Sequence, residues 1–288
     1  MSDDNIVAIF KDRLFEDVVR IIDCSFGIEQ MVKIVKTKKN IYIIKIPLQG
    51  NEMMILREGF ACEKLRGCKI VPQVILKEKR YLIESFLEGK MASKIRFSAE
   101  EKKSVYISLG KTVRRIHKIK MQGFGVLQKD LEGKDLTLER HIDFLLRKNM
   151  PLLRKTGLLS EKEIKRVRDY LKVGLKFINQ QESVLLHFDI LDSNMLVSGG
   201  ALSGIIDFGD LSCGPRAYDI AKFYIEKKDS EDFTNFLNGY GKVESMEVEY
   251  FAVCHLLYEI PYYHSIGNGR KCVKLLRLLE KIISNDKE

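Results

Sequence analysis

The sequence predicts an α+β protein in two parts: a small antiparallel-sheet part with one helix over residues 1–88, and a larger, mainly helical part over residues 89–288. Three observations predict it. β-rich runs alternate with short polar turns before residue 88. Two capping boxes open long apolar stripes after residue 97. The texture changes between the two, at Leu87-Glu88-Gly89-Lys90.

Taken in order, Gln30 to Leu48 holds two strand runs joined by Thr37-Lys38-Lys39-Asn40, a polar turn that predicts a hairpin. Glu52 to Gly67 predicts a helix with Leu56 and Phe60 on one face and Gly67 as its stop. Lys69 to Leu87 predicts two more strands with a turn near Lys77 to Lys79. Ser98 and Glu101 then have capping-box spacing, and Val105, Leu109, Val113 and Ile116 follow as the stripe of a long helix. Ser160 and Glu163 repeat the box ahead of Ile164, Val167, Leu171, Leu175 and Ile178. The tail from Glu247 to Ile283 again reads as helix, interrupted at Pro261 and at Gly267-Asn268-Gly269.

Composition narrows the classes. A chain of 288 residues builds one large domain or two lobes. No run of about 18 apolar residues occurs, so no membrane span is expected. The first residues are acidic and lack the apolar core of a secretory signal. Six cysteines lie scattered without a Cys-x-x-Cys pair, which points to reduced, buried thiols and a cytoplasmic protein. The formal charge of +9 reads first as a lysine-rich solvated surface, with nucleic acid or an anionic ligand such as a nucleotide as the alternative. The lysines are spread along the whole chain, with only a short cluster at Lys33 to Lys39 and no recurring aromatic-basic stripe, so nucleic acid is not an expected partner; without an apolar run, neither is a membrane.

The chemistry gathers in His187-Phe188-Asp189-Ile190-Leu191-Asp192-Ser193-Asn194, a polar stretch between two apolar runs. After it come a strand, a turn at Ser198-Gly199-Gly200, a returning strand and Asp207. A hairpin of this length brings its two ends together, so Asn194 and Asp207 should face each other across one rim with Asp189 nearby. Two oxygen ligands suit a hard cation such as magnesium, and the remaining carboxylate suits work as a base. Singly, these residues read as turn-formers; the set is more specific.

An Asp, an Asn five residues on and a second Asp eighteen residues after the first resemble the catalytic and metal-binding segment of the protein-kinase-like fold. Asp207-Phe208-Gly209-Asp210 is followed closely by Gly214 and Asp219, which leaves no room for the long activation segment of protein kinases. This compact form is similar to the aminoglycoside phosphotransferase and choline-kinase-like group of small-molecule kinases. The resemblance implies a two-lobed fold with a nucleotide in the cleft. It makes Asp189 the base, Asn194 and Asp207 the Mg2+ ligands, and Lys45 the contact to the phosphates of ATP or GTP. Glu58 would hold Lys45, with Glu63 as the runner-up. Backbone groups of Glu84, Ser85 and Phe86 would hold the nucleobase edge, and Ser25 and Gly27 would lie in the phosphate-covering loop. His187 would brace the catalytic loop, and Asp219 would accept its backbone N–H groups. Two departures stand out: no Gly-x-Gly-x-x-Gly occurs, and Phe188 sits where the family has glycine or a small residue.

The same resemblance points to a small-molecule hydroxyl as acceptor. An aminoglycoside or aminocyclitol antibiotic is the first expectation, and choline, homoserine or a sugar stays open, as does a nucleotide-binding scaffold without activity. The segment from Gly123, a loop with glycine turns, is similar to one that precedes a substrate-side helix. A polycationic acceptor needs several carboxylates; Asp192, Asp210 and Glu259 are the candidates, with Glu247 and Glu249 on the last helices. Tyr258 to Gly267 supplies either an aromatic wall for an ammonium group or core packing.

Overall fold

The computed structural model describes residues 1–24, 30–48, 51–178 and 181–284. The chain opens with α1 (Asp3–Ile9), capped by Ser2 and extended by a wide helical turn to Leu14. Strands β1 (Val18–Cys24), β2 (Gln30–Thr37) and β3 (Ile41–Pro47) follow, then α2 (Glu52–Lys64), β4 (Val74–Glu78), β5 (Tyr81–Ser85) and the short β6 (Lys90–Met91). Next come α3 (Ala99–Ile116), β7 (Phe124–Leu127), β8 (Gly133–Asp135), α4 (Leu138–Lys155), α5 (Glu161–Ile178) and β9 (Val184–Leu186). The polar stretch leads into the hairpin β10 (Met195–Ser198) and β11 (Ala201–Ile205). The chain ends with β12 (Ser212–Gly214), α6 (Ala217–Lys227), α7 (Glu231–Tyr240), α8 (Ser245–Ser265) and α9 (Gly269–Ser284).

Two compact units result. One holds Met1–Ser98 together with Asp192–Leu211, and the other Ala99–Leu191 with Ser212–Glu288. The segment Asp192–Leu211 thus packs with the N-terminal strands, because β10 pairs with β6 as well as with β11. The first unit is a five-stranded antiparallel sheet ordered β1-β2-β3-β5-β4 beside the small sheet β11-β10-β6. Its core joins Val35, Tyr42, Ile44, Ile46, Tyr81 and Ile83 of the sheet to Ile6 and Phe10. The expectation of one helix in this part is therefore corrected. Ile6 and Phe10, spaced i, i+4, are enough to fold a short second helix onto the sheet.

On α2 the inner face is also corrected. Met54, Ile55, Glu58, Ala61 and Cys62 are buried, while Leu56 and Phe60 are only half-buried. A burial pattern that includes Glu58 is invisible to an apolar-stripe reading, because a charge enters a core only when a partner waits there.

The second unit is helical around the sheet β8-β7-β12-β9. The two capping-box helices form as the spacing predicts. Val105, Leu109, Val113 and Ile116 of α3 are buried, and Ser160 and Glu163 exchange hydrogen bonds at the start of α5. Of the α5 stripe, Leu175 alone is half-buried rather than buried. The expected break at Pro261 does not occur. The proline sits inside α8, which runs four residues further, because losing one N–H near a helix end costs a single bond. The Gly123 segment forms the β7–β8 hairpin ahead of α4. All six cysteines are free thiols, five of them buried. Among the described residues no helix is long and apolar enough to cross a membrane.

Helices α3 and α7 meet through two glycines. A Cβ on Gly110 would lie 2.1 Å from the carbonyl oxygen of Phe236, and one on Gly239 would lie 1.9 Å from that of Ile107. Backbone stands in the way at both points, so no side chain can swing aside. Gly239→Ala is expected to destabilise the protein by about 1–3 kcal/mol, the usual cost of overpacking, read as a lower urea midpoint with an unchanged slope.

Candidate active site

In the first unit, strand β3 delivers Lys45 into the interior with 5% of its surface exposed. Its ammonium forms an ion pair with Glu58 of α2 and a second with Glu84 of β5, the latter at 3.0 Å. Both carboxylates are buried, and their second oxygens have no hydrogen-bond partner among the described residues. Glu58 also accepts the backbone N–H of Phe208 at 3.3 Å, which ties α2 to the residue after Asp207. Glu63 is elsewhere, paired with Lys77 at 2.7 Å.

Charge balance explains the titration of the cluster. Burial alone would push the Lys45 ammonium down, but Glu58, Glu84 and Asp207 outweigh it and hold it well above the ordinary lysine value. Glu58 is pushed up to about 7 by burial first, with Lys45 opposing and Glu84 and Asp207 adding to the rise. One ammonium facing three carboxylates leaves the cluster short of positive charge, so both groups favour the proton.

Lys45 lines a cavity of about 500 Å³ with Glu84, Ser85, Phe86, Asn194 and Asp207. Val32, Ile34, Ile43, Leu196 and Ile206 give it apolar walls. The β10–β11 hairpin sets Asn194 and Asp207 at its open end. Met195 lies opposite Ile205, and the Ile206 N–H donates to the Asn194 carbonyl at 3.0 Å. Asp207 itself has φ +68°, a left-handed conformation that Asp tolerates better than most residues. A carboxylate and a carboxamide oxygen on one rim, beside a cluster short of positive charge, fit a hard divalent cation that takes its remaining ligands from phosphate and water. Ser85 is bonded to Gln73 through both its N–H and its hydroxyl. Asp192 is half-buried and Asp210 exposed. Ser25 and Gly27 lie outside the described residues.

In the second unit the polar stretch leaves β9 and is held from beneath by Asp219 of α6. This buried carboxylate accepts the N–H groups of His187 at 2.8 Å and Phe188 at 2.7 Å, and it contacts the His117 ring at 3.0 Å. Burial would raise its pKa; His117, then His187 and the Phe188 N–H, outweigh that and hold it below the ordinary value. His187 is fully buried, and its Nδ1 accepts the Asp189 N–H at 3.3 Å. Phe188 has φ +70°, which explains why glycine suits this position. Its ring offsets the strain by packing 5.1 Å from both Tyr218 and His255. Asp189 is thereby presented half-exposed at the end of a braced turn.

Lys222 of α6 lies 3.6 Å from Asp189 and 2.7 Å from Glu259 of α8. Glu259 is therefore a buried counter-ion rather than an open acceptor carboxylate. Glu247 accepts from Gln181 and Glu249 from Tyr224, both within the helical packing. Tyr258 and Tyr262 stack 6.0 Å apart and are exposed, so they are not core.

Among the participants that escaped sequence reading are the Glu84 side chain and Lys222. Each carried a signal: a carboxylate ending four buried residues in Tyr81-Leu82-Ile83-Glu84, and a lysine one helical turn after Asp219. A charge in such a setting implies a buried partner.

The model of the phosphotransferase enzyme family matches residues 22–252. The chain belongs to that family. Among solved structures, aminoglycoside phosphotransferase APH(4)-Ia is similar at 13% identity, with 98% of this chain and 99% of that one covered and a TM-score of 0.77. The streptomycin–ATP–APH(2'')-IIa ternary complex is similar at 18% identity, with 98% and 99% covered and a TM-score of 0.69. A ternary complex of an APH(4)-Ia mutant with ADP and hygromycin B matches at 13% identity, with 99% of each chain covered and a TM-score of 0.75. At these identities the likeness establishes the fold, a kinase-like one. No curated protein matches the chain.

Glu58 gives a pH test. Its folded-state pKa lies above its ordinary value of 4.5, so the folded protein binds the extra proton. The stability this contributes is fully present below 4.5 and lost as pH rises through about 7. Relative to Glu58→Gln, the wild-type melting temperature is expected to fall as pH is raised from 5 to 8.5; parallel curves would show that Glu58 stays ionised throughout.

Proposed function

We propose that the protein transfers the γ-phosphoryl group of ATP or GTP to a hydroxyl of a small molecule, in the cytoplasm. The observation that carries this is the cavity in which Lys45, Asn194 and Asp207 come together. Its apolar walls suit a nucleobase, and its polar end suits a triphosphate. Lys45 contacts the phosphates while Glu58 and Glu84 hold its ammonium in place. Since the Ser85 N–H is bonded to Gln73, the base edge falls to the backbone on either side, at Glu84 and Phe86. Asn194 and Asp207 would hold Mg2+, which when bound neutralises phosphate charge. Asp189 orients the acceptor hydroxyl and takes its proton, with Asp219 and His187 fixing the turn. Catalysis is then positioning and charge neutralisation, as phosphoryl transfer requires.

Aminoglycosides and aminocyclitols are the first acceptors to test, because solved relatives are complexes with hygromycin B and streptomycin. Asp192 and Asp210 remain the acceptor-side carboxylates, and the stacked Tyr258 and Tyr262 offer an open aromatic face. Choline, homoserine and sugars belong in the same panel.

Product formation with Mg–ATP and Mg–GTP across that panel tests the activity. Asp189→Ala is expected to lower kcat by a factor of about 10²–10⁴ while nucleotide affinity stays within a few fold. Asn194→Ala and Asp207→Ala are expected to weaken Mg–nucleotide binding itself, read by calorimetry. Mg–nucleotide binding without product from any acceptor would favour a nucleotide-binding scaffold, and absence of both would end the proposal.

A further inference from the structure

Along β2, Gln30, Val32 and Ile34 alternate onto the face that lines the cavity, and Ile43 and Lys45 join them from β3. Register fixes their order. Ile34 lies opposite Ile43, Val32 opposite Lys45 and Gln30 opposite Pro47. The face therefore turns from apolar to polar in one direction along both strands, and Gln30 lies beyond Lys45 at the polar end. Such a diagonal pair is separated by about 7–8 Å, a span that long side chains cover. Burial on this face runs against polarity. Gln30 is 6% exposed, whereas its apolar neighbours Val32 and Ile34 are only half-buried. The Gln30 Oε1 is sealed from solvent and has no hydrogen-bond partner among the described residues. A buried amide oxygen left in that state costs stability, and a leucine of similar size would avoid the cost. The residue type at this position is thus set by something other than packing.

We propose that Gln30 is a phosphate-binding residue: with Oε1 turned to the sealed side, its Nε2 is the end left for the cavity and donates to a phosphate oxygen of the bound nucleotide. The inference rests on the cavity taking a nucleoside triphosphate, with the base between the apolar walls and the phosphates at the Lys45 end. A carboxamide suits that end because it donates without bringing a charge. Glu58, Glu84 and Asp207 already surround Lys45. A further carboxylate would repel the phosphates, and a further ammonium would compete with Lys45 for its two partners; a neutral donor does neither. The chain also has no Gly-x-Gly-x-x-Gly, the loop that covers the phosphates in protein kinases. A side-chain donor at the start of β2 supplies part of that contact from a rigid strand.

The test needs no acceptor. Calorimetry with Mg2+ measures the affinity of the full-length protein for ATP, ADP, AMP and adenosine, and for the guanine series, in wild type, Gln30→Leu and Gln30→Glu. Gln30→Leu is expected to weaken the triphosphate by roughly three- to tenfold, the usual worth of one hydrogen bond to a charged group, and to leave the nucleoside within about twofold. Gln30→Glu is expected to weaken the triphosphate further than leucine does, since it sets a carboxylate against the phosphates. Without nucleotide, Gln30→Leu should melt at or above the wild-type temperature, because it removes a buried amide oxygen that lacks a partner. Unchanged triphosphate affinity in Gln30→Leu, or an equal loss for triphosphate and nucleoside, overturns the role of Gln30 and leaves the nucleotide site standing. A lower melting temperature for Gln30→Leu together with that equal loss identifies a packing residue, which also overturns it. A wild-type protein that binds neither series removes the phosphotransferase proposal and this one with it.

Discussion

One buried ammonium organises the first unit. Lys45 is shared between Glu58 and Glu84, and Glu58 in turn takes the Phe208 N–H. These contacts join β3, α2, β5 and the residue after Asp207, four stretches distant in sequence. Desolvating three charged groups is expensive, and a well-packed apolar trio of the same shape would be at least as stable. What the ionic arrangement supplies is placement. An unpaired carboxylate is costly enough to forbid other packings, so the lysine is aimed at the end of the cavity where Asn194 and Asp207 sit.

The second unit solves a similar problem with one helix. The turn after β9 carries a non-glycine residue in the left-handed region, and its N–H groups point inward with no strand to receive them. Asp219 receives two of them, and the Phe188 ring packs against both Tyr218 and His255, which also touch each other. A turn fixed at both backbone and side chain can present a carboxylate at a set angle without help from a ligand. The same helix then places Lys222 against that carboxylate, so one helix carries both brace and counter-charge.

Formation of an enzyme site from such parts has a charge signature. The protein is basic overall, yet both candidate centres gather carboxylates, three around Lys45 and two around Lys222. The positive balance lies on exposed lysines, while the described interior holds more carboxylates than ammonium groups. Net charge therefore describes the surface and says nothing about the polarity of the sites.

Local chemistry determined much in advance. The hairpins and the capped helices follow from patterns a few residues long, and Asp189, Asn194 and Asp207 stand out because their spacing is unusual for turn-formers. Lys45 and Glu58 were reached only through resemblance, since nothing in their own neighbourhoods marks them as partners. Tertiary structure alone decided the rest: that α2 turns Glu58 inward rather than Leu56, that Glu84 adds a second carboxylate, that Asp192–Leu211 joins the first unit, and that Glu259 is consumed by Lys222. The reason is physical. Helix and strand periodicity record which face is apolar, but the location of a buried charge is fixed by a counter-charge tens or hundreds of residues away, and only the folded chain brings the two within reach of each other.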